Sequence, residues 1–180
     1  PERFLQLAAD LNMRIANCTT AGQYFHLLRR QASLLITDPL PLIVLTPKSL
    51  LRHPMVASTP RDLAEGRFQP FIDDRDAQAR ASEIRRVVLC TGKMYVDLVS
   101  SDLRAAATDV AICRMEELYP VNMRMLRSLL DSYANATEIV WTQEEPANMG
   151  YWDFVRTYLE DAAAGRKVRL VARPRSASPA

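Results

Sequence analysis

Basic side chains gather in two stretches of this 180-residue sequence, His26, Arg29 and Arg30 in the first, Lys48, Arg52 and His53 in the second. Guanidinium groups bind carboxylates and phosphates through paired hydrogen bonds, so Arg29, Arg30, Lys48, Arg52 and His53 form a candidate anion-binding or allosteric cluster. The same charges would serve as well to pair acids on another part of a protein. Neither histidine has a second histidine or cysteine at ligand spacing, and no metal site is expected. His26, beside Tyr24 and Phe25, reads as an interfacial histidine with its bonds satisfied, and His53 as a surface or packing residue.

Three further motifs are weaker. Thr91-Gly92-Lys93 follows an apolar run and opens a helical pattern, where backbone amides can hold phosphate. A P-loop also needs a glycine five residues before its Gly-Lys pair, and Val87 stands there. Glu144 and Glu145 follow another apolar run, at the edge where open α/β sheets place their sites, yet adjacent acids there read more simply as a solvated loop. Trp141, Tyr151 and Trp152 flank a turn at Asn148-Met149-Gly150 and read as packing rather than a binding platform. No GxGxxG occurs anywhere.

The elements that must position these residues fall into two parts. Helical spacing over Glu2 to Leu11 puts Phe4, Leu5, Leu7, Ala8 and Leu11 on one face. A short strand is expected over Met13 to Cys18, then a helix from Ala21 to Ala32 capped by Thr19 or Thr20, with Tyr24, Leu27 and Leu28 inward. Pro41 to Thr46 reads as a buried strand, and Pro47 to Leu51 as one helical turn. From His53 to Arg85 charge and proline dominate without a sustained period, which reads as a linker. Strands are then expected at Val87 to Cys90, Val110 to Cys113, Ile139 to Thr142 and Val168 to Val171. Helices over Met94 to Ala107, Val121 to Tyr133 and Trp152 to Ala164 alternate with them, the pattern of a parallel sheet covered on both faces. Two strands alone would leave edges and apolar faces exposed, so the first part is expected to be the tail of a larger domain, with the chain cut at both ends.

Composition excludes several classes. Net charge is +2, too little to hold nucleic acid or an acidic membrane by its global field. No apolar run approaches the roughly 20 residues that span a bilayer. Cys18, Cys90 and Cys113 lack CxxC spacing and are odd in number, which argues against disulfides and zinc, and for reduced core thiols in a cytoplasmic setting.

Several blocks, in order along the whole sequence, resemble the thiamin-diphosphate-dependent decarboxylase component of 2-oxoglutarate dehydrogenase complexes. They are Glu2-Arg3-Phe4-Leu5-Gln6-Leu7, Tyr24-Phe25-His26-Leu27-Leu28-Arg29-Arg30-Gln31 and Thr46-Pro47-Lys48-Ser49-Leu50-Leu51-Arg52-His53-Pro54. Asp62-Leu63-Ala64-Glu65-Gly66, Gly92-Lys93-Met94-Tyr95-Val96-Asp97-Leu98, Gln143-Glu144-Glu145-Pro146-Ala147-Asn148-Met149-Gly150 and Ser176-Ala177-Ser178-Pro179-Ala180 complete the set.

The resemblance implies a transketolase-like α/β fold. Residues 1–55 would end a pyrimidine-binding domain, residues 56–83 link, and residues 84–180 form the carboxy-terminal parallel-sheet domain. It implies a parent enzyme of the citric acid cycle that decarboxylates 2-oxoglutarate and passes succinyl to lipoamide on the dihydrolipoamide succinyltransferase component. That parent would be a homodimer using thiamin diphosphate and magnesium, cytoplasmic or, in a eukaryote, in the mitochondrial matrix. Its catalytic groups would lie upstream of Pro1, so this segment would carry no catalytic or metal-binding residue and bind no cofactor alone. In some actinobacterial relatives acetyl-CoA binds as an activator between the last two domains, contacting the position of Arg30. The partner cation expected before the Pro41 strand is replaced here by Asp38-Pro39-Leu40. A related 2-oxo acid decarboxylase, or a nucleotide-binding regulatory module, is the alternative.

Overall fold

The computed structural model describes residues 1–178; Pro179 and Ala180, the end of the last family-like block, lie outside the described residues. The chain runs α1 (Glu2–Leu7), β1 (Arg14–Ala16), α2 (Ala21–Leu34), β2 (Leu42–Val44), α3 (Pro60–Glu65), β3 (Phe71–Ile72), α4 (Arg75–Gln78), β4 (Arg86–Cys90), α5 (Lys93–Val99), β5 (Val110–Met115), β6 (Glu117–Tyr119), α6 (Met123–Asp131), β7 (Glu138–Pro146), α7 (Trp152–Ala162) and β8 (Lys167–Arg173). It is a mixed α/β structure with two sheets, one of order β3-β5-β4-β7-β8 and one of order β2-β1-β6.

In the larger sheet β4 pairs in parallel with both β5 and β7, and β7 in parallel with β8. Side chains of successive strand residues point to opposite faces. Val87 and Leu89 therefore join Ile139, Trp141, Leu126, Leu130, Val155 and Leu159 on the face covered by α6 and α7. Val88, Cys90, Ile112 and Val140 meet Met94, Tyr95 and Leu98 of α5 on the other. Each such leucine or valine contributes roughly 1.5–3 kcal/mol by leaving water. Every one of the four strands expected in this region forms.

Several expectations are corrected. The sheet is not wholly parallel, because β3 pairs antiparallel with β5, Phe71 opposite Met115. β3 comes from the stretch read as a linker, which also holds α3 and α4. Local caps explain these short elements. Thr59 and Asp62 bond reciprocally at the start of α3, and Asp74 accepts from the amides of Asp76 and Ala77 at the start of α4. The helix expected to reach Ala107 stops at Val99, where Ser101 turns its hydroxyl onto the Leu103 amide and offers the backbone an alternative to the helix.

One edge of the small sheet is covered, since β6 lies antiparallel on β1, Ile15 opposite Tyr119. Cys18 falls just beyond β1 and is half-buried, whereas Cys90 and Cys113 are buried in strands; all three are free thiols. α1 stops at Leu7 rather than reaching Leu11; it buries only Leu5 and leaves Phe4 and Leu7 exposed, with Leu11 exposed in the turn beyond. α2 buries Gly22, Gln23, His26 and Leu27, and exposes Tyr24 and Leu28. Leu27 is inward as expected, and the polar residues beside it each find a partner: Gln23 bonds to the backbone of Gln69, and His26 to the carbonyl of Asp62. No helix among the described residues is long and apolar enough to cross a membrane.

Candidate functional site

The third turn of α2 aims two arginines at the second half of the chain. Thr20 starts this helix by accepting from the Gln23 amide at 3.2 Å, so His26, Arg29 and Arg30 follow at helical spacing. His26 is buried, with Nε2 2.8 Å from the Asp62 carbonyl and Nδ1 3.2 Å from the Arg29 guanidinium. Gly66 makes that contact possible, because a Cβ there would lie 2.4 Å from the Asp62 oxygen and 2.6 Å from His26 Nε2.

Arg30 is already engaged. Its Nη1 donates to Glu117 Oε2 at 3.1 Å and its Nη2 to Glu117 Oε1, and its guanidinium lies 4.3 Å over the Phe68 ring. Glu117 is buried, so this two-bond pair is a charge-neutral joint between α2 and β6 rather than a free anion receptor. A cavity of about 520 Å3 opens beside it, lined by His26, Arg29, Arg30, Gly66, Arg67 and Phe68. The chain thus brings Arg29 and Arg30 together and adds Arg67. Lys48, Arg52 and His53 do not line that cavity. They sit on two short 3-10 turns after β2, where His53 Nδ1 accepts from the Met55 amide at 3.3 Å.

Next to this joint stands a second acid that sequence reading passed over. Glu116 is fully buried, accepting from the Thr19 amide at 2.9 Å and from the Thr19 hydroxyl. The same hydroxyl accepts from Arg114 at 2.9 Å, and Arg114 stacks 4.3 Å over Tyr95. Burial pushes the Glu116 carboxyl up to about 7 against the opposing pull of Thr19 and Arg114. Arg14, also buried, makes a further ionic joint by pairing with Asp38, the residue that stands where a cation was expected. In the sequence Glu116 and Glu117 are only two acids between apolar runs. Their partners Thr19 and Arg30 are distant along the chain, so no local signal could have found them.

The weaker motifs resolve as follows. Lys93 bonds to Asp97 and lies 3.5 Å from Glu144, so the Thr91-Gly92-Lys93 turn does not offer a free cation. Glu144 and Glu145 are not a loop but the end of β7, one exposed and the other half-buried. Trp141 and Tyr151 are buried around Gln143, whose Oε1 accepts from Trp141 Nε1, Tyr151 N and Trp152 N, and whose Nε2 donates to the Met149 carbonyl at 2.7 Å. Among the described residues no group of three His, Cys, Asp or Glu could hold a metal ion.

The sequence model of the family described as 2-oxoglutarate dehydrogenase C-terminal matches residues 57–180. A protein named 2-oxoglutarate dehydrogenase E1 component from Bacillus mycoides is 45% identical over 185 residues, covering 99% of this chain and 19% of its own length. Its namesake from Cupriavidus necator is 47% identical over 180 residues, with the same two shares. One from Bacillus anthracis is 44% identical over 185 residues. The chain spans about a fifth of the length of these relatives, 19% in each case.

Proposed function

This chain belongs to the 2-oxoglutarate dehydrogenase C-terminal family, and we propose that it forms the carboxy-terminal part of a decarboxylase component that oxidatively decarboxylates 2-oxoglutarate and transfers succinyl to lipoamide. The observation that carries this reading is identity of 45–47% sustained over 99% of the chain to proteins of that name. The parent would work in the citric acid cycle of the cytoplasm with a dihydrolipoamide succinyltransferase partner. It would take a transketolase-like fold, in which residues 1–55 end a pyrimidine-binding domain, 56–83 link and 84–180 form the carboxy-terminal domain.

Thiamin diphosphate, when bound to the parent, would supply the electron sink for loss of carbon dioxide, with magnesium on the diphosphate. The residues described here do not fit that site. Their acids, Glu145 apart, are exposed or tied to basic or hydroxyl partners, and the Gly92 turn has its lysine bound to Asp97. We place both groups, and the catalytic residues, in the rest of the parent. This segment's role is architectural: Arg30–Glu117, Thr19–Glu116 and β1–β6 lock the half that would touch the cofactor domain to the carboxy-terminal sheet. The exposed Phe4, Leu7, Leu11, Tyr24, Phe25 and Leu28 form apolar surface that suits burial against the remaining parent and a second subunit of a homodimer.

The test is 2-oxoglutarate decarboxylation with thiamin diphosphate, magnesium and an artificial electron acceptor, for this chain beside a polypeptide of the relatives' length. Activity in the longer protein alone is expected. Activity in the short chain would overturn the placement of the catalytic groups, and none in either would overturn the function.

A regulatory anion is the second reading, and the arginine cavity favours it. Arg67 pairs with no acid among the described ion pairs, and Arg29 rests on His26 and Phe25. An effector such as acetyl-CoA would meet Arg29 and Arg67 first, with Arg30 released only if Glu117 gave it up. Lys48, Arg52 and His53 would serve such a ligand only from outside this cavity. Calorimetry of the complete protein with acetyl-CoA tests this, an Arg67→Ala variant being expected to lose the heat of binding.

A further inference from the structure

Strand ends from both sheets converge on one small cavity. Asn17 follows β1, Pro47 lies shortly after β2, Thr91 follows β4, and Gln143, Glu144 and Glu145 end β7. β1 runs parallel to β2, and β4 parallel to β7, so each pair presents its carboxyl ends, where open α/β sheets hold ligands. The cavity measures about 50 Å3, room for one small ion but not for an organic cofactor.

Its lining carries two carboxylates, Glu144 and Glu145, against one cation, Lys93, which is also bound to Asp97. Asn17 is 3% exposed, and its Oδ1 has no hydrogen-bond partner, while its Nδ2 donates to the Tyr151 hydroxyl at 3.1 Å. Gly92, at φ +55°, presses against this amide: a Cβ there would lie 2.5 Å from Oδ1, so the close approach requires glycine. The charged groups facing the cavity are Glu144, Glu145 and Lys93, with Glu2 and the terminal amine nearby. Lys93 is shared between Asp97 and Glu144. Glu145 makes no ion pair with a basic side chain among the described residues. Burial, with Glu144 and Glu2, pushes its carboxyl up, against its own backbone amide and the terminal amine.

An amide oxygen, a phenol oxygen and one uncompensated carboxylate are hard donors, suited to alkali or ammonium ions rather than to zinc or copper. Magnesium sheds its water reluctantly and demands near-octahedral coordination, whereas one carboxylate with two neutral oxygens matches a single positive charge. We propose that the cavity is a binding site for a single monovalent cation of potassium or ammonium size, held by Asn17 Oδ1 and the Glu145 carboxylate beside the Tyr151 hydroxyl. Such an ion ties the end of β1 to the turn between β7 and α7, and so fixes the small sheet against the large one.

Hydrogen exchange in the full-length chain reads this locally, at peptides covering residues 14–20 and 141–155, in potassium chloride against choline chloride of equal ionic strength. Binding slows local opening by a factor of one plus the ratio of ion concentration to dissociation constant, about tenfold at a concentration roughly ten times that constant. Glu145→Gln, which keeps the shape of a partly exposed side chain, should abolish the difference. Rubidium soaked into crystals of the unaltered protein should give an anomalous peak beside Asn17 Oδ1. Equal exchange in the two salts, or no rubidium peak in the cavity, overturns the proposal.

Discussion

Arg30 on α2 and Glu117 on β6 meet through two parallel hydrogen bonds although they stand 87 positions apart in the chain. The Glu117 side chain is 7% exposed, and that guanidinium is its ion-pair partner among the described residues. Removing one partner of a buried pair leaves the other uncompensated. Arg30→Ala is expected to cost about 3 kcal/mol, read as a lower urea midpoint. Adding Glu117→Gln should recover most of the loss, and Arg30→Lys should not, because an ammonium cannot make the paired contact or stack on Phe68.

Glu116 makes stability depend on pH in a defined window. Its carboxyl is raised from the ordinary 4.5 to about 7 by burial. A group with a raised folded value holds its proton more tightly folded than unfolded, so its contribution is full below pH 4.5 and is lost as pH rises through 7. The loss amounts to about 3 kcal/mol across the window. Urea titrations at intervals from pH 4 to 8 should show this decline. Glu116→Gln, which can still accept from the Thr19 amide, should flatten it; an unchanged slope in the variant would assign the effect elsewhere.

What the sequence disclosed follows from the range of the forces involved. Of the four strands legible in the large sheet, β4, β5 and β7 are largely buried on both faces and run as apolar segments, Val87–Cys90 the clearest, whereas the edge strand β8 alternates exposed and half-buried residues. β6 was not legible, because Glu116 and Glu117 break its apolar pattern and are tolerated only through Thr19 and Arg30. α2 was found, and Leu27 is inward as apolarity indicates, but Tyr24 and Leu28 are exposed because tertiary hydrogen bonds turn Gln23 and His26 in. The basic cluster was legible as charge, but its division between an ionic joint, an arginine cavity and a separate turn depends on where α2 docks.

Gly66 is fixed by a close approach rather than by its backbone angle. Its φ is −78°, open to any residue, yet a Cβ would collide with the Asp62 carbonyl and His26 Nε2. The contact at 2.4 Å is to backbone and cannot rotate away. Gly66→Ala should therefore break the His26–Asp62 bond and cost about 2 kcal/mol, as overpacking of a tight site does. Loss of the slowly exchanging imidazole proton of His26 in NMR spectra would report it directly.

Gln143 carries the turn that joins β7 to α7, and its worth lies in how many groups it satisfies at once. Oε1 accepts from an indole and two amides at 3.0–3.1 Å, and Nε2 donates to the carbonyls of Pro146 and Met149. A buried amide or carbonyl deprived of its partner costs about 1–3 kcal/mol. Gln143→Leu fills the same volume but strands several such groups together, so the loss should exceed the 1–2 kcal/mol of an ordinary substitution and reach about 4 kcal/mol. Gln143→Glu separates shape from donor chemistry. It keeps the acceptor for Tyr151 and Trp152 but loses the donor to Met149, and adds a charge in a buried site beside Glu145. If bonding rather than volume holds the turn, Gln143→Glu should lose stability steeply as pH rises above the acid range, while Gln143→Leu shows no such trend. Equal and pH-independent losses in the two would mean that packing around Trp141, not the amide network, sets the turn.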